Sequence, residues 1–373
     1  MTIDPRSLPA SHSSVTVSIG TFTTEAGVDI PGTELRLFAW YEGSAEEAVA
    51  RPVIVIEHAL TADGNADDWW AGIIGPGLAL DTERYLVLCA NCLGGCQGST
   101  GPSSTHPDGG HWGSRFPALS IRDLVAAEKT LLVDVLGIRR IRGVVGASMG
   151  GARVLEWTIM YPEVVEAALP VAVSARASAW QIGIQSAQIR FITADPCWQN
   201  GDYHDSGNIP SHGLGQARRI AHLTYRGELE LDERFSTDPQ PGENPYGPYH
   251  SPTERFAVES YLDRQAEKLE ARFDAGSYVT LTDALNRHDV GRGRGGMNAV
   301  LGSSQVPTMV AGIDTDILYP YHQQEHLSRN LGDFIGLSKI TSPTGHDGFL
   351  TETRQMTIIL DKFLTKAALL AQR

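Results

Sequence analysis

Gly146-Ala147-Ser148-Met149-Gly150-Gly151 follows an apolar run, Ile141 to Val145, and opens into a helix-like segment, Ala152 to Tyr161. Strand, Gly-x-Ser-x-Gly and helix in that order make a nucleophile elbow: the sharp turn lifts the serine oxygen clear of the backbone and sets it at a helix N-terminus. Gly146 and Gly150 keep the crowded turn free of side chains. The same five-residue pattern occurs in ordinary glycine-rich turns. The flanking strand and helix are what make Ser148 a candidate nucleophile.

A serine nucleophile needs a base and an acid to orient it, and behind such an elbow they follow in the order acid, then histidine. Pro307 to Ile313 reads as a buried strand, and the acidic loop Asp314-Thr315-Asp316 leads into Leu318-Tyr319-Pro320 and a helix. A second strand-like run, Phe334 to Ile340, ends in Thr344-Gly345-His346-Asp347-Gly348-Phe349, ahead of a last helix from Leu350 to Gln372. His346 is the candidate base, while Asp314 and Asp316 both qualify as its orienter on chemistry alone. The oxyanion of an acyl-transfer intermediate also needs donors. Met149 N–H, next after the nucleophile, is one; Leu60 N–H, in His58-Ala59-Leu60-Thr61 after the β-branched run Val53 to Glu57, is the other.

Val15 to Gly20 and Glu34 to Trp40 read as leading antiparallel strands, followed by strands at Val53 to Ala59 and Tyr85 to Asn91, a helix at Ile121 to Leu136 and a strand at Ala167 to Val173. Strands alternating with helices predict an α/β fold with a mainly parallel central sheet covered on both faces. From Ser174 to Val300 the alternation stops. Helical stretches at Ser178 to Ala194, Gly213 to Leu223 and Ser251 to Phe273, broken by the Pro/Gly-rich Asp238 to Pro252, predict an inserted helical lid over Ser148. The expected division is a core of residues 1–173 and 301–373, with residues 174–300 as lid.

Further stretches, Asn91-Cys92-Leu93-Gly94-Gly95-Cys96, Gly98-Ser99-Thr100-Gly101-Pro102, Trp112 to Pro117, Ala217-Arg218-Arg219, Leu223-Thr224-Tyr225-Arg226, Ser260-Tyr261-Leu262 and Asp289 to Gly293, join the elbow, Glu57 to Thr61, Asp316 to Pro320 and Gly345 to Phe349. Together they resemble the homoserine O-acetyltransferases of the α/β-hydrolase superfamily, over nearly the whole chain. The resemblance implies a triad of Ser148, Asp316 and His346. It selects Asp316 over Asp314 because the acid stands just before the Leu-Tyr-Pro segment. It places the amino-acid site on Arg218, Tyr225 and Asp347, with Thr61 beside them. It also implies acetyl-CoA as co-substrate with no resident cofactor, a role in methionine biosynthesis, and a homodimer formed through the lid helices. Succinyl transfer, serine as acceptor, and plain ester hydrolysis are the neighbouring activities. The chemistry of the residues agrees: a homoserine zwitterion calls for a guanidinium and a carboxylate, here Arg218 and Asp347. Asp347 also reads as the N-cap of the last helix.

With 373 residues and 42% apolar composition the chain can bury a large core. A formal charge of −14 argues against nucleic acid or an anionic membrane surface as partners. An anionic acyl donor must therefore meet local positive charge, and Arg292 and Arg294 in Gly291-Arg292-Gly293-Arg294-Gly295-Gly296 are candidates for its phosphates; otherwise they are solvated arginines on a mobile loop. That stretch follows no strand, so it is not a dinucleotide fingerprint. No apolar run reaches the roughly 18 residues of a membrane helix, and Met1 to Gly20 lacks a secretory pattern, so the expected location is cytoplasmic. Cys89, Cys92 and Cys96 are spaced like part of an iron–sulfur signature, but the fourth cysteine, Cys197, is remote. Reduced, buried thiols and no metal are expected.

Overall fold

The computed structural model describes residues 3–249 and 251–371. Two leading strands, β1 (Ser13–Thr23) and β2 (Asp29–Trp40), pair antiparallel and join a sheet whose remaining members are β3 (Val53–Glu57), β4 (Leu86–Ala90), β5 (Ile141–Ala147), β6 (Ala168–Val171), β7 (Thr308–Ile313) and β8 (Phe334–Ile340). The order is β1-β2-β4-β3-β5-β6-β7-β8, antiparallel from β1 to β4 and parallel from β4 to β8. β3, β4, β6 and β7 are buried along their whole length, as a sheet covered on both faces requires. Successive residues face opposite layers: Val53 and Val55 pack into one apolar cluster, Ile54 and Ile56 into the other.

Two short helices, α1 (Ala45–Ala48) and α2 (Ala66–Trp69), flank β3; α3 (Ile121–Lys129) and α4 (Met149–Met160) cover one face. The helix expected to Leu136 does reach that far, but its last turns, Thr130–Val135, widen into a π-helix. Between β6 and β7 run α5 (Ala179–Thr193), α6 (Ser211–Tyr225), α7 (Glu228–Phe235), α8 (Ala257–Glu270), α9 (Ala275–Asn286) and α10 (Met297–Gly302), with no sheet strand among them in the described residues. α7, α9 and α10 were not foreseen; their apolar residues are few or lack a clean helical period, and tertiary packing organises them. The chain closes with α11 (Tyr321–Asn330), α12 (Gly348–Thr351) and α13 (Thr353–Leu370). The expected last helix is thus two, broken at Glu352, and Gln372 lies outside the described residues. No helix of the described residues is long and apolar enough to cross a membrane.

Candidate active site

Four connections leave the C-terminal ends of parallel strands on one rim of the sheet, where open α/β sheets hold their ligands. β3 delivers His58 to Thr61, β5 delivers Ser148, β7 delivers Asp314 to Asp316, and the loop after β8 delivers His346 and Asp347.

Ser148 has φ +58° and ψ −121°, a conformation L-residues avoid, held between β5 and α4. Its N–H donates to Val171 O at 3.0 Å and its carbonyl accepts from Ala152 N–H at 3.1 Å. A side chain on Gly150 would run into the Glu57 carbonyl, and one on Gly146 would put its Cβ 2.6 Å from that of Glu57. The two glycines therefore let the elbow lie against the end of β3. Beneath it the wholly buried Arg153 of α4 pairs with Glu57 at 2.5 Å and Glu128 at 2.9 Å, and Trp157 Nε1 donates to Glu57 at 2.7 Å. Burial, with Glu128 alongside, raises the Glu57 carboxyl well above the usual carboxylate range, against the pull of Arg153.

His346 is buried, with Nδ1 2.6 Å from Asp316 Oδ2. Asp316 Oδ1 accepts backbone N–H bonds from Leu318 and Tyr319, both at 2.8 Å. Asp314 instead accepts from Ser342 N–H at 3.1 Å, tying the β7 and β8 loops together and leaving the imidazole to Asp316. Tyr319 stacks on the imidazole at 5.4 Å between centroids, and Phe349 meets it edge-on at 5.6 Å. Burial opposes a charged imidazole, but the Asp316 carboxylate, its hydrogen bond and nearby Asp347 outweigh it and raise the pKa above 6.5. His346 Nε2 is buried with no partner, and no hydrogen bond links it to Ser148. Both residues line one cavity. The N–H groups of Leu60 and Met149 likewise have no acceptor among the described residues.

That cavity, about 360 Å³, also receives Thr61, Arg218, Tyr225 and Asp347. Arg218, on α6, donates to Thr61 Oγ1 at 3.4 Å and lies 5.4 Å from the Tyr225 ring centroid, while its Nε is buried without a partner. Asp347 stands at the N-cap position of the four-residue α12 rather than of the last helix, α13, whose N-cap is Glu352, and its side chain makes no cap bond. Its carboxylate turns to Arg226 at 3.6 Å, a residue whose guanidinium is also held by Glu230. Burial raises the Asp347 pKa, partly offset by His346, Arg218 and Arg226.

The sequence reading assigned no role to Arg226, and missed Arg272, Asp63, Asp68 and Trp69, all four of which line the cavity. Arg272 ends the α8 turn, where a basic residue reads as a routine C-terminal one. Burial and nearby Arg218 lower its pKa. Arg292 and Arg294, the candidates for an acyl donor's phosphates, lie away from the cavity and carry ion pairs of their own. Arg292 pairs with Glu25 at 2.7 Å, and Arg294 with the buried Glu156 at 2.7 Å, and neither lines the cavity. They tie a loop to the protein body, Arg292 while still half exposed. Cys89 and Cys92 are buried, and burial pushes the Cys92 thiol up to about 12 and that of Cys96 to about 11. No group of His, Cys, Asp and Glu among the described residues is arranged to hold a metal ion.

The α/β hydrolase fold family matches residues 52–353. A homoserine O-acetyltransferase of Corynebacterium jeikeium is 70% identical over 385 residues, covering 99% of this chain and 97% of the relative. Among solved structures, a homoserine O-acetyltransferase from Bacillus anthracis superposes with TM-score 0.84 at 23% identity, covering 94% of this chain and 97% of the other. An acetylester hydrolase from Corynebacterium glutamicum gives TM-score 0.79 at 23% identity, covering 95% and 96%. At such identities the two structures show the shared fold alone.

Proposed function

The chain belongs to the homoserine O-acetyltransferases, acyltransferases on the α/β-hydrolase fold, and we propose that it transfers acetyl from acetyl-CoA to L-homoserine through an acetyl-Ser148 intermediate. His346, oriented by Asp316, takes the Ser148 proton as the hydroxyl attacks the thioester carbonyl. Leu60 and Met149 N–H groups bind the oxyanion; the C–S bond breaks, and His346 passes the proton to the departing sulfur. The homoserine hydroxyl then gives its proton to His346, takes the acetyl group, and Ser148 recovers a proton. O-acetyl-L-homoserine leaves, to serve methionine biosynthesis in the cytoplasm.

One observation carries this reading beyond a general esterase: Arg218 and Asp347, opposite in charge, line the cavity that holds Ser148 and His346. An amino-acid zwitterion suits that pair, and a positioned hydroxyl outcompetes water. The helices between β6 and β7 act in this reading as a lid. Their exposed Trp180, Ile182 and Phe191 on α5 support a homodimer formed through them, which sedimentation analysis tests.

Steady-state kinetics with acetyl-CoA and succinyl-CoA, each against homoserine and serine, test the assignment. The acetyl-CoA and homoserine pair should dominate, with parallel double-reciprocal lines. Hydrolysis of acetyl-CoA unaffected by homoserine would make the protein an esterase, and intersecting lines without acetyl-CoA/CoA exchange would remove the acetyl-enzyme.

A further inference from the structure

His58 lies just before the proposed oxyanion donor Leu60, is 3% exposed, and has no part in the reaction as described. Its two ring nitrogens are both engaged. Cys92 N–H, from the loop after β4, donates to Nε2 at 3.1 Å, and Nδ1 lies 2.9 Å from Ala59 O. A backbone N–H can only donate, so Nε2 carries no proton. Nδ1 therefore does, and donates to the Ala59 carbonyl. The geometry fixes one neutral tautomer. Burial, reinforced by Arg153, lowers the pKa to about 3, so that tautomer persists at any working pH.

The Ala59 carbonyl and the Leu60 N–H belong to one planar trans peptide, in which C=O and N–H point in opposite directions. Ala62 N–H also donates to Ala59 O, at 3.1 Å. Two donors on the oxygen thus set the direction of the N–H on the far side of the same plane. That N–H has no acceptor among the described residues, and Leu60 lines the cavity with Ser148. We propose that His58 is a positioning residue of the oxyanion hole, aiming Leu60 N–H at the acyl carbonyl through the Ala59–Leu60 peptide and tying that peptide to the loop after β4. The proposal rests on the acetyl-Ser148 reading above.

His58→Asn keeps an amide donor where Nδ1 stands, whereas His58→Gln reaches only the Nε2 position and loses the donor to Ala59. Outright loss of one oxyanion donor costs about 10²–10³ in kcat, so misaiming it in His58→Gln should cost roughly 10–100-fold, with His58→Asn within about threefold of wild type. KM for homoserine should not change. The acetyl-enzyme, trapped with ¹³C-carbonyl acetyl-CoA and no homoserine, reports directly: its ester carbonyl stretch should move to higher frequency in His58→Gln and stay at the wild-type position in His58→Asn. Equal kcat and equal carbonyl frequency in the two variants would overturn the proposal. If neither variant folds, ¹⁵N NMR of the wild-type imidazole decides, since an Nε2–H or a doubly protonated ring between pH 6 and 9 is incompatible with it. Failure of any acetyl-enzyme to form in wild type would instead overturn the underlying reading, and is distinguishable from both.

Discussion

The cavity has two walls of unlike construction. On the sheet side every group is anchored by short bonds to backbone or partner: Asp316 by two N–H groups at 2.8 Å, His346 by Asp316 at 2.6 Å, Ser148 by its own strained turn. Where α6 meets the rim of the sheet the polar contacts are longer: Arg218 reaches Thr61 at 3.4 Å, and Arg226, at the end of the helix, reaches Asp347 at 3.6 Å. In the proposed reaction the tight wall would make and break the acyl bond, and the looser contacts of the other wall would hold the acceptor. On the proposed reading the reaction type belongs to the strand ends, and acceptor choice is shared between α6, through Arg218, and the strand-end loop that carries Asp347.

The sharpest test of the tight wall is Ser148→Ala, which should lower transfer by several orders of magnitude, as removal of a triad serine does, while circular dichroism is unchanged. Intact-mass measurement should show one added acetyl on wild type mixed with acetyl-CoA, and none on the variant. Full activity in the variant would erase the distinction between the walls.

The loose wall should respond differently. Arg218→Ala and Asp347→Asn each remove a charge-assisted contact worth about 1.5–3 kcal/mol, which is roughly 10–150-fold in kcat/KM for homoserine. Rapid-quench measurement of Ser148 acetylation should find that half-reaction nearly intact. A parallel fall in both half-reactions would assign these residues to the tight wall instead.

A smaller effect lies in the pH profile. His346 accepts a proton only when neutral, and its pKa stands above 6.5, so kcat/KM for acetyl-CoA should fall as pH drops through a value on the high side of 6.5. In Asp316→Asn the residual activity should show that limb displaced to lower pH, because burial then acts without the Asp316 carboxylate to oppose it. An unmoved limb would detach Asp316 from the base.

The smallest catalytic effect is expected at Arg292 and Arg294, outside both walls. Arg294→Ala should leave KM for acetyl-CoA within about twofold but destabilise the protein by about 1–3 kcal/mol, since the buried Glu156 loses its closest partner. Denaturant titration beside kinetics separates the two. A rise in KM for acetyl-CoA would restore the phosphate role that the ion pairs argue against.

How much of this was legible in the sequence follows the same division. Strand-end residues announce themselves, because an elbow glycine pattern, a strand before Asp316 and a strand before His346 are local signals of period and turn chemistry. The choice of Asp316 over Asp314 was not local. It came from resemblance, and its physical ground, the paired N–H groups of Leu318 and Tyr319, exists only after folding. Arg272 and Arg226 were hidden for a related reason: each is an ordinary basic residue at a helix end until the cavity is assembled around it. The ion pairs of the arginines between glycines were hidden too, because sequence shows their charge but not the distant Glu25 and Glu156 that meet it.

The ion cluster of Glu57, Arg153 and Glu128 bears on how this molecule comes apart. Swinging α4 away from β3 would leave Arg153 or the two glutamates unpaired against apolar neighbours, at a cost far above that of an ordinary fraying helix. The elbow helix should therefore have no cheap local opening, and its amide protons should exchange only when the whole domain unfolds. The nucleophile would then keep its shape through the fluctuations that let substrates in and out.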